Sequence, residues 1–175
     1  MKHLPNISKA KTPTDLLNFR IMLELHNAED MPRFLIVIAH SVLELFVNGL
    51  IKAHCKNWKI ILDDKRGYTQ ATKLVILNEV GILDKEQFTV LRAFKKLRND
   101  AAHETIFNLT PAQLKPFLCI MPKDKKLDFE DPKNFMFICY YLVFGIFSKH
   151  KDALSKYIDD THSDIKPPFK ALFSQ

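Results

Sequence analysis

The stretch from Phe34 to about His54 constrains the fold more than any other part of the sequence. It has the length of a long helix, and its apolar residues leave almost no polar face. A helix of this kind has to be covered by other elements, so we expect it at the centre of the fold. Asp30 is a suitable N-cap, and Pro32 falls within the first turn, where a proline is tolerated.

One polar line crosses this apolar helix. His40, Glu44 and Asn48 recur every four residues and therefore share an edge, with Ser41 beside them. Such an edge either faces solvent or a second copy of the chain, or it supports a functional site. Both interpretations stay open at the level of sequence.

The other predicted elements are also helices. Their apolar residues recur three and four apart, and no segment shows the period-two alternation of a half-buried strand. Thr69 and Asp84 are N-cap residues, Gln87 completes a capping box with Asp84, and Gly81 suits a left-handed C-cap. The predicted helices cover about 14–27, 34–54, 69–80 and 84–104, a short segment from Thr110, and 133–159, which Gly145 could bend.

The predicted class is therefore all-α, an antiparallel bundle of about five or six helices. At 175 residues, one domain with a substantial core is expected. We predict a flexible N-terminal arm over 1–13, a single helical domain over 14–160 and a C-terminal tail over 161–175. Within the domain, residues 57–69 are predicted to be a polar connection.

Composition narrows the functional classes. Four glycines, none close to another, leave no Gly-rich phosphate loop of the P-loop or Rossmann type. The formal net charge of +6 permits a polyanionic partner such as RNA. Cys55, Cys119 and Cys139 form no metal-binding or disulfide framework, so we expect free, mostly buried thiols, no metal and no cofactor.

The sequence also indicates a compartment. Its first residues lack the apolar core of a secretion signal. The longest uninterrupted apolar run, Phe135–Phe147, is shorter than the roughly 20 residues that a bilayer span needs. We therefore predict a cytoplasmic protein without a membrane partner.

The helix predicted over 84–104 ends in Leu97-Arg98-Asn99-Asp100-Ala101-Ala102-His103. Arg98 is predicted on the shoulder of its apolar side, about 140° round the helix from His103. Arg98 could wrap round the helix end, or a two-fold dimer could place both copies of the pair around one groove. At about 100° per residue, a polar face opposes a core face of Val90, Leu91, Phe94, Leu97 and Ala101; the polar face carries Arg92, Lys96, Asn99 and His103.

A guanidinium and an imidazole at one site can bind a phosphate and move a proton. This is the minimum that a metal-free ribonuclease requires. The same helix carries Arg92, Lys95 and Lys96, which are candidate RNA contacts.

Structural roles are the alternatives for these residues. Arg98 would then bridge helices by pairing with Glu44, because a buried guanidinium needs an acceptor, and His103 would cap the helix end. Lys95 and Lys96 would be a solvated face. Two cysteines and an aromatic cluster are predicted as core, the cluster alternatively as a dimer interface: Cys119, Cys139, Phe135, Phe137, Tyr140, Tyr141 and Phe144.

The Arg98-Asn99…His103 sequence resembles the signature of the HEPN superfamily, an arginine and a polar residue followed by a histidine. A longer pattern, over about 33–159, is similar to the mannitol operon repressor (MtlR-like) branch. That pattern consists of Phe34-Leu35-Ile36 with Glu44 and Asn48, then Lys73-Leu74, Gly81-Ile82, the Arg98 motif and Pro116-Phe117.

The resemblance implies a helical homodimer and a metal-independent endoribonuclease of the toxin–antitoxin or phage-defence type. It implies that His103 is a general base or acid, that Arg98 holds the scissile phosphate and that Asn99 orients the site. Glu44, His40 and Asn48 would support these residues. The implied reaction is attack of a ribose 2′-hydroxyl on phosphorus, which leaves a 2′,3′-cyclic phosphate.

The MtlR-like branch implies a different function. Its members are named as transcriptional repressors, and this sequence offers no clear helix-turn-helix. The alternative is therefore a regulator without catalysis that acts through a protein partner, an antitoxin or a transcription factor.

Overall fold

The structure is a computed structural model that describes residues 12–121 and 132–161. These residues form eight α-helices and one 3₁₀ helix and contain no strand, which confirms the all-α class. Most of the predicted arm (1–13) and tail (161–175) lies outside the described residues. The helices are α1 (Pro13–Asn27), α2 (Pro32–His54), α3 (Trp58–Asp63), α4 (Gln70–Glu79), α5 (Lys85–His103), α6 (Pro111–Leu114), the 3₁₀ helix (Lys115–Ile120), α7 (Pro132–Lys149) and α8 (Lys151–Thr161).

α2 is the central helix, as its composition predicts. It packs against α1, α3, α4, α5, α7 and α8, and Leu35, Ile36 and Leu50 on it are fully buried. Within the described ranges, α2 is the one helix long and apolar enough to cross a membrane, by length and composition alone. It passes that test as the core helix of this bundle. The run Phe135–Phe147 belongs to α7.

The local signals around α4 and α5 form as predicted. The Thr69 hydroxyl accepts a hydrogen bond from the Thr72 amide, and Gly81 ends this region with φ of 75°. Asp84 and Gln87 form a reciprocal capping box, in which Asp84 Oδ1 accepts from the Gln87 amide at 2.7 Å. The predicted core face of α5 is buried: Val90, Leu91, Phe94, Leu97 and Ala101.

Two predictions about helix boundaries are wrong: the N-cap of α2 and the connection that follows α2. The N-cap of α2 is Met31, without a side-chain hydrogen bond, because a turn from the Met31 amide to the Ala28 carbonyl places Asp30 too early to cap. The predicted connection 57–69 contains α3. No side-chain cap starts α3; the burial of Ile61 and the partial burial of Trp58 hold it in place.

The long helix predicted over 133–159 breaks at His150 and not at Gly145. The His150 amide is shared between the carbonyls of Ile146 and Phe147, at 3.2 Å each, and α8 restarts at the next residue. The His150 ring lies 3.3 Å from the amide nitrogen of Gln87 on α5. The break thus coincides with a contact to α5, a helix distant in sequence.

The prediction of buried thiols is correct for Cys139 and wrong for Cys119. Cys119 is exposed and donates to the Pro116 carbonyl at 3.2 Å. In the 3₁₀ helix it is Phe117 that enters the core, where its ring meets Phe94 edge-on at 5.8 Å. The aromatic cluster of α7 is mixed, with Phe135 buried, Phe137 exposed and the other members half-buried.

Candidate functional site

The end of α5 presents its motif residues to solvent. Arg98, Asn99 and His103 are all exposed, and the Arg98 Nη1 donates to Asn99 Oδ1 at 3.4 Å. No ion pair joins Arg98 to Glu44 in the part of the chain that the structure describes. The expected bridge between these two residues is therefore wrong. Its premise fails because an exposed guanidinium is solvated and needs no buried acceptor.

One hydrogen bond joins the start of α2 to the end of α5. Arg33 Nη2 donates to the Glu104 carbonyl at 2.6 Å, so the start of α2 lies beside the end of α5. The two helices run antiparallel from that contact. Counting seven residues along each one brings His40 opposite Leu97, and therefore beside Arg98.

The electrostatics of His40 agree with this register. His40 is half-buried, and its burial lowers the pKa of the imidazole. Glu44, one turn along α2, opposes that decrease in pKa, whereas Arg98 and Lys95 across the helix interface add to it. Burial and the two cations of α5 therefore favour the uncharged form of the His40 imidazole.

The polar line of α2 continues onto α4 through Lys73. Only 6% of Lys73 is exposed, and its Nζ donates to Asn48 Oδ1 at 2.9 Å. Burial lowers the pKa of Lys73, and the nearby Glu44 opposes this decrease. We name this arrangement the polar seam; its members are His40, Glu44 and Asn48 of α2, Lys73 of α4, and Lys95 and Arg98 of α5.

Sequence reasoning missed Lys73 and Arg33 as members of this region. A lysine beside Leu74 on the inward face of α4 is the signal that could have identified Lys73. Arg33 stacks over the Phe107 ring at 6.0 Å, and Gln113 donates to Asp100 Oδ2 at 3.3 Å. Together these contacts hold the end of α5 and the segment that follows it.

The structure does not join the two halves of the motif within one chain. In residues 12–121 and 132–161, no hydrogen bond connects Arg98 with His103, in keeping with their angular separation on α5. The charge of Arg98 instead contributes to lowering the pKa of His40. Asn99, by contrast, contacts Arg98 directly.

The predicted RNA contacts lie on the same helix. Arg92 and Lys96 are exposed and Lys95 is half-buried, and the Arg92 guanidinium lies 5.4 Å from the centre of the Phe88 ring. Together with Arg98 they make the later turns of α5 basic. Among the described side chains, no three His, Cys, Asp or Glu residues come together as metal ligands.

Two cavities lie away from the motif. The first, of about 490 Å³, lies between the start of α5 and α7, and its lining includes Gln87, Cys119, Tyr140 and Phe144. The second, of about 410 Å³, lies between the C-terminal part of α2, α3 and α8. Neither contains a residue that the sequence predicts as catalytic.

Comparisons with protein-family models, with curated proteins and with solved structures found no match to this chain. The resemblance to the HEPN and MtlR-like families therefore depends on the quoted residues alone.

Proposed function

We propose that the protein is a HEPN-type, metal-independent endoribonuclease of the cytoplasm, of a toxin or phage-defence system, with its site at the end of α5 and along the polar seam. The observation that carries the proposal is an exposed arginine, Arg98, that forms no ion pair within residues 12–121 and 132–161 and whose charge acts on the half-buried imidazole of His40. An unneutralised guanidinium is suited to a phosphodiester. Arg92, Lys95 and Lys96 extend the basic surface along the strand that would be cut.

The proposed reaction needs two proton transfers. One group takes the proton of the 2′-hydroxyl as O2′ attacks phosphorus, and another protonates O5′ as the P–O5′ bond breaks. His40 and His103 supply these transfers, and the lowered pKa of His40 suits it to accept the first proton. Arg98 stabilises the charge on the phosphoryl oxygens, and Asn99 orients Arg98.

A homodimer is part of the proposal. Apolar residues lie exposed at the start of α2 and just beyond α5, with exposures of 46% for Met31, 60% for Phe34, 51% for Val37 and 81% for Ile106. Burying them against a second copy would cover apolar surface next to the motif. It would also bring two copies of Arg98 and His103 to one groove.

The test is cleavage of single-stranded RNA by the purified protein in EDTA. We expect cleavage that yields 2′,3′-cyclic phosphate ends, and its loss in Arg98→Ala and in His103→Ala. Both residues are exposed, so the free energy of unfolding should change by no more than about 0.5 kcal/mol. Arg66→Ala, an exposed arginine in the loop before α4, is the matched control. Wild-type protein that leaves varied RNAs intact would defeat the proposal.

The second candidate function is an MtlR-like regulator without catalysis. The same exposed apolar residues favour it, since they are also suited to a protein partner such as an antitoxin or a transcription factor. In this case Phe34→Ser would abolish capture of that partner in co-purification from the native host. His103→Ala would leave capture unchanged, whereas the ribonuclease proposal makes His103 indispensable to cleavage.

A further inference from the structure

The second cavity lies at the far end of α2 from the polar seam. Lys52, which lines it, is twelve residues beyond His40, or about 18 Å along the helix. Trp58 of α3 and Tyr157 of α8 form its aromatic walls, and the small side chains of Ala53 and Ala153 leave it open. Its volume of about 410 Å³ lies within the range of roughly 300–1,000 Å³ that is usual for small-molecule sites.

The walls of this cavity are held in place by close packing. A Cβ atom at Gly49 would come within 2.7 Å of Tyr157 Cδ1, so only glycine lets the tyrosine ring lie this close to the backbone of α2. Burial raises the pKa of Tyr157, so its hydroxyl stays a hydrogen-bond donor at neutral pH. The aromatic surface is therefore formed before any ligand enters.

A cation lies between the two rings. The Nζ of Lys52 is 5.3 Å from the centre of the Tyr157 ring and 5.5 Å from the centre of the Trp58 ring. Across the described ranges it makes no hydrogen bond and no ion pair, so its N–H donors remain available to an anion. Cation–π contacts keep this ammonium in place without neutralising its charge.

The local charge favours an anionic ligand. Lys156 also lines the cavity, and the Nζ of Lys59 lies 5.6 Å from the centre of the Trp58 ring. Asp160 is the one acidic residue among the described residues that line the cavity. Two ammonium groups in the lining, those of Lys52 and Lys156, against one carboxylate leave a net positive site with aromatic walls.

We propose that this cavity binds a nucleoside phosphate, whose phosphate lies on Lys52 and Lys156 and whose base lies against the parts of the Trp58 and Tyr157 rings that the Lys52 ammonium leaves uncovered. Ammonium donors suit phosphate oxygens, and aromatic side chains suit the flat face of any base. A free nucleotide and a nucleotide within an RNA strand offer the same chemistry, so both are probes of the site. The inference does not depend on Arg98 or His103 being catalytic.

Trp58 makes a direct test available, because it is the only tryptophan in the chain. Its fluorescence would be titrated with AMP, adenosine, inorganic phosphate and a short oligoadenylate RNA. We expect a saturable change with AMP, at least tenfold weaker apparent affinity for adenosine and for phosphate alone, and a tenfold loss of AMP affinity in Lys52→Ala. Lys156→Ala should weaken binding too, whereas Lys85→Ala, an exposed lysine on α5, should not.

The remaining outcomes either distinguish a free nucleotide from an RNA-borne one or overturn the inference. A response to oligoadenylate alone identifies an RNA-borne nucleotide as the ligand. No saturable change with AMP or RNA at millimolar concentration overturns the inference, as does AMP binding that neither lysine variant weakens. Circular dichroism of each variant checks folding. Arg98→Ala/His103→Ala protein should give the wild-type titration, which separates this site from the proposed ribonuclease.

Discussion

Lys73 on α4 donates from Nζ to Asn48 Oδ1 on α2 across 2.9 Å, although only 6% of the lysine is exposed. A buried ammonium whose hydrogen-bond acceptor is a neutral amide is costly unless further partners compensate its lost hydration. Glu44 acts on Lys73 electrostatically and, one turn along α2, also on His40. Arg98 and Lys95 of α5 also act on His40, so the central helix interacts electrostatically with both α4 and α5.

Removing Asn48 should affect stability differently from removing Lys73. Asn48→Ala leaves the Lys73 ammonium without its acceptor and should lower the free energy of unfolding by about 1–3 kcal/mol. Lys73→Met removes the buried charge itself and should be neutral or stabilising. Urea denaturation measures both, with Lys85→Met on the surface as control. Equal destabilisation by the two variants would contradict this account.

The half-buried His40 should make stability depend on pH. Because folding lowers the pKa of His40 below its ordinary 6.5, the unfolded chain binds protons more readily. The free energy of unfolding should therefore fall as pH drops from 7.5 through 6.5. His40→Gln should show a shallower fall, although part of the slope will remain because burial also lowers the pKa of His150. If the denaturation midpoint of His40→Gln changes with pH as steeply as that of the wild type, His40 does not have this role.

Arg33 should hold the end of α5 in place. Arg33→Ala removes the donor to the Glu104 carbonyl and should cost about 0.5–1.5 kcal/mol, because one hydrogen bond is lost. The loss should be local, so the amides of His103 and Glu104 should exchange hydrogen faster while those of α2 stay protected. Arg20→Ala on α1 is the control. If hydrogen exchange became faster throughout the chain, the variant would instead be destabilised globally.

Asp84 should stabilise α5 mainly as its N-cap. Asp84→Ala should cost about 1 kcal/mol, and Asp84→Asn, which keeps a capping oxygen, should cost less. The bond from the Gln87 amide is the first cause that lowers the pKa of Asp84, and the Lys149 ammonium is the second. The contribution of Asp84 is thus present above the ordinary pKa of 3.8 and is lost as pH falls below it. Thermal melting at pH 7 and pH 3 would check this; equal effects at both values would contradict it.

Much of the fold could be predicted because its signals are local. The capping box at Asp84, the cap at Thr69 and the left-handed Gly81 each depend on residues within about four positions. The core face of α5 follows from helical periodicity in the same way. These features were predicted correctly, since no distant contact had to be known.

The site was less predictable. Arg98, His103 and Asn99 were found from a motif, but the expected pairing of Arg98 with Glu44 assumed a burial that depends on how α2 and α5 pack. Lys73 was named only within the longer family-like pattern and Arg33 in no motif, so the contacts of both were missed. Their partners, Glu104 and Asn48, lie far away in sequence.

The helical class and the central position of α2 follow from the sequence alone, because apolar periodicity and caps act within single helices. Three relationships could be known only from the packed bundle: the exposure of Arg98 near His40, the burial of Lys73 against Asn48 and the position of Lys52 between two rings. These relationships arise where helices distant in sequence meet. Their register is set by side-chain packing over the whole bundle, which no single segment encodes.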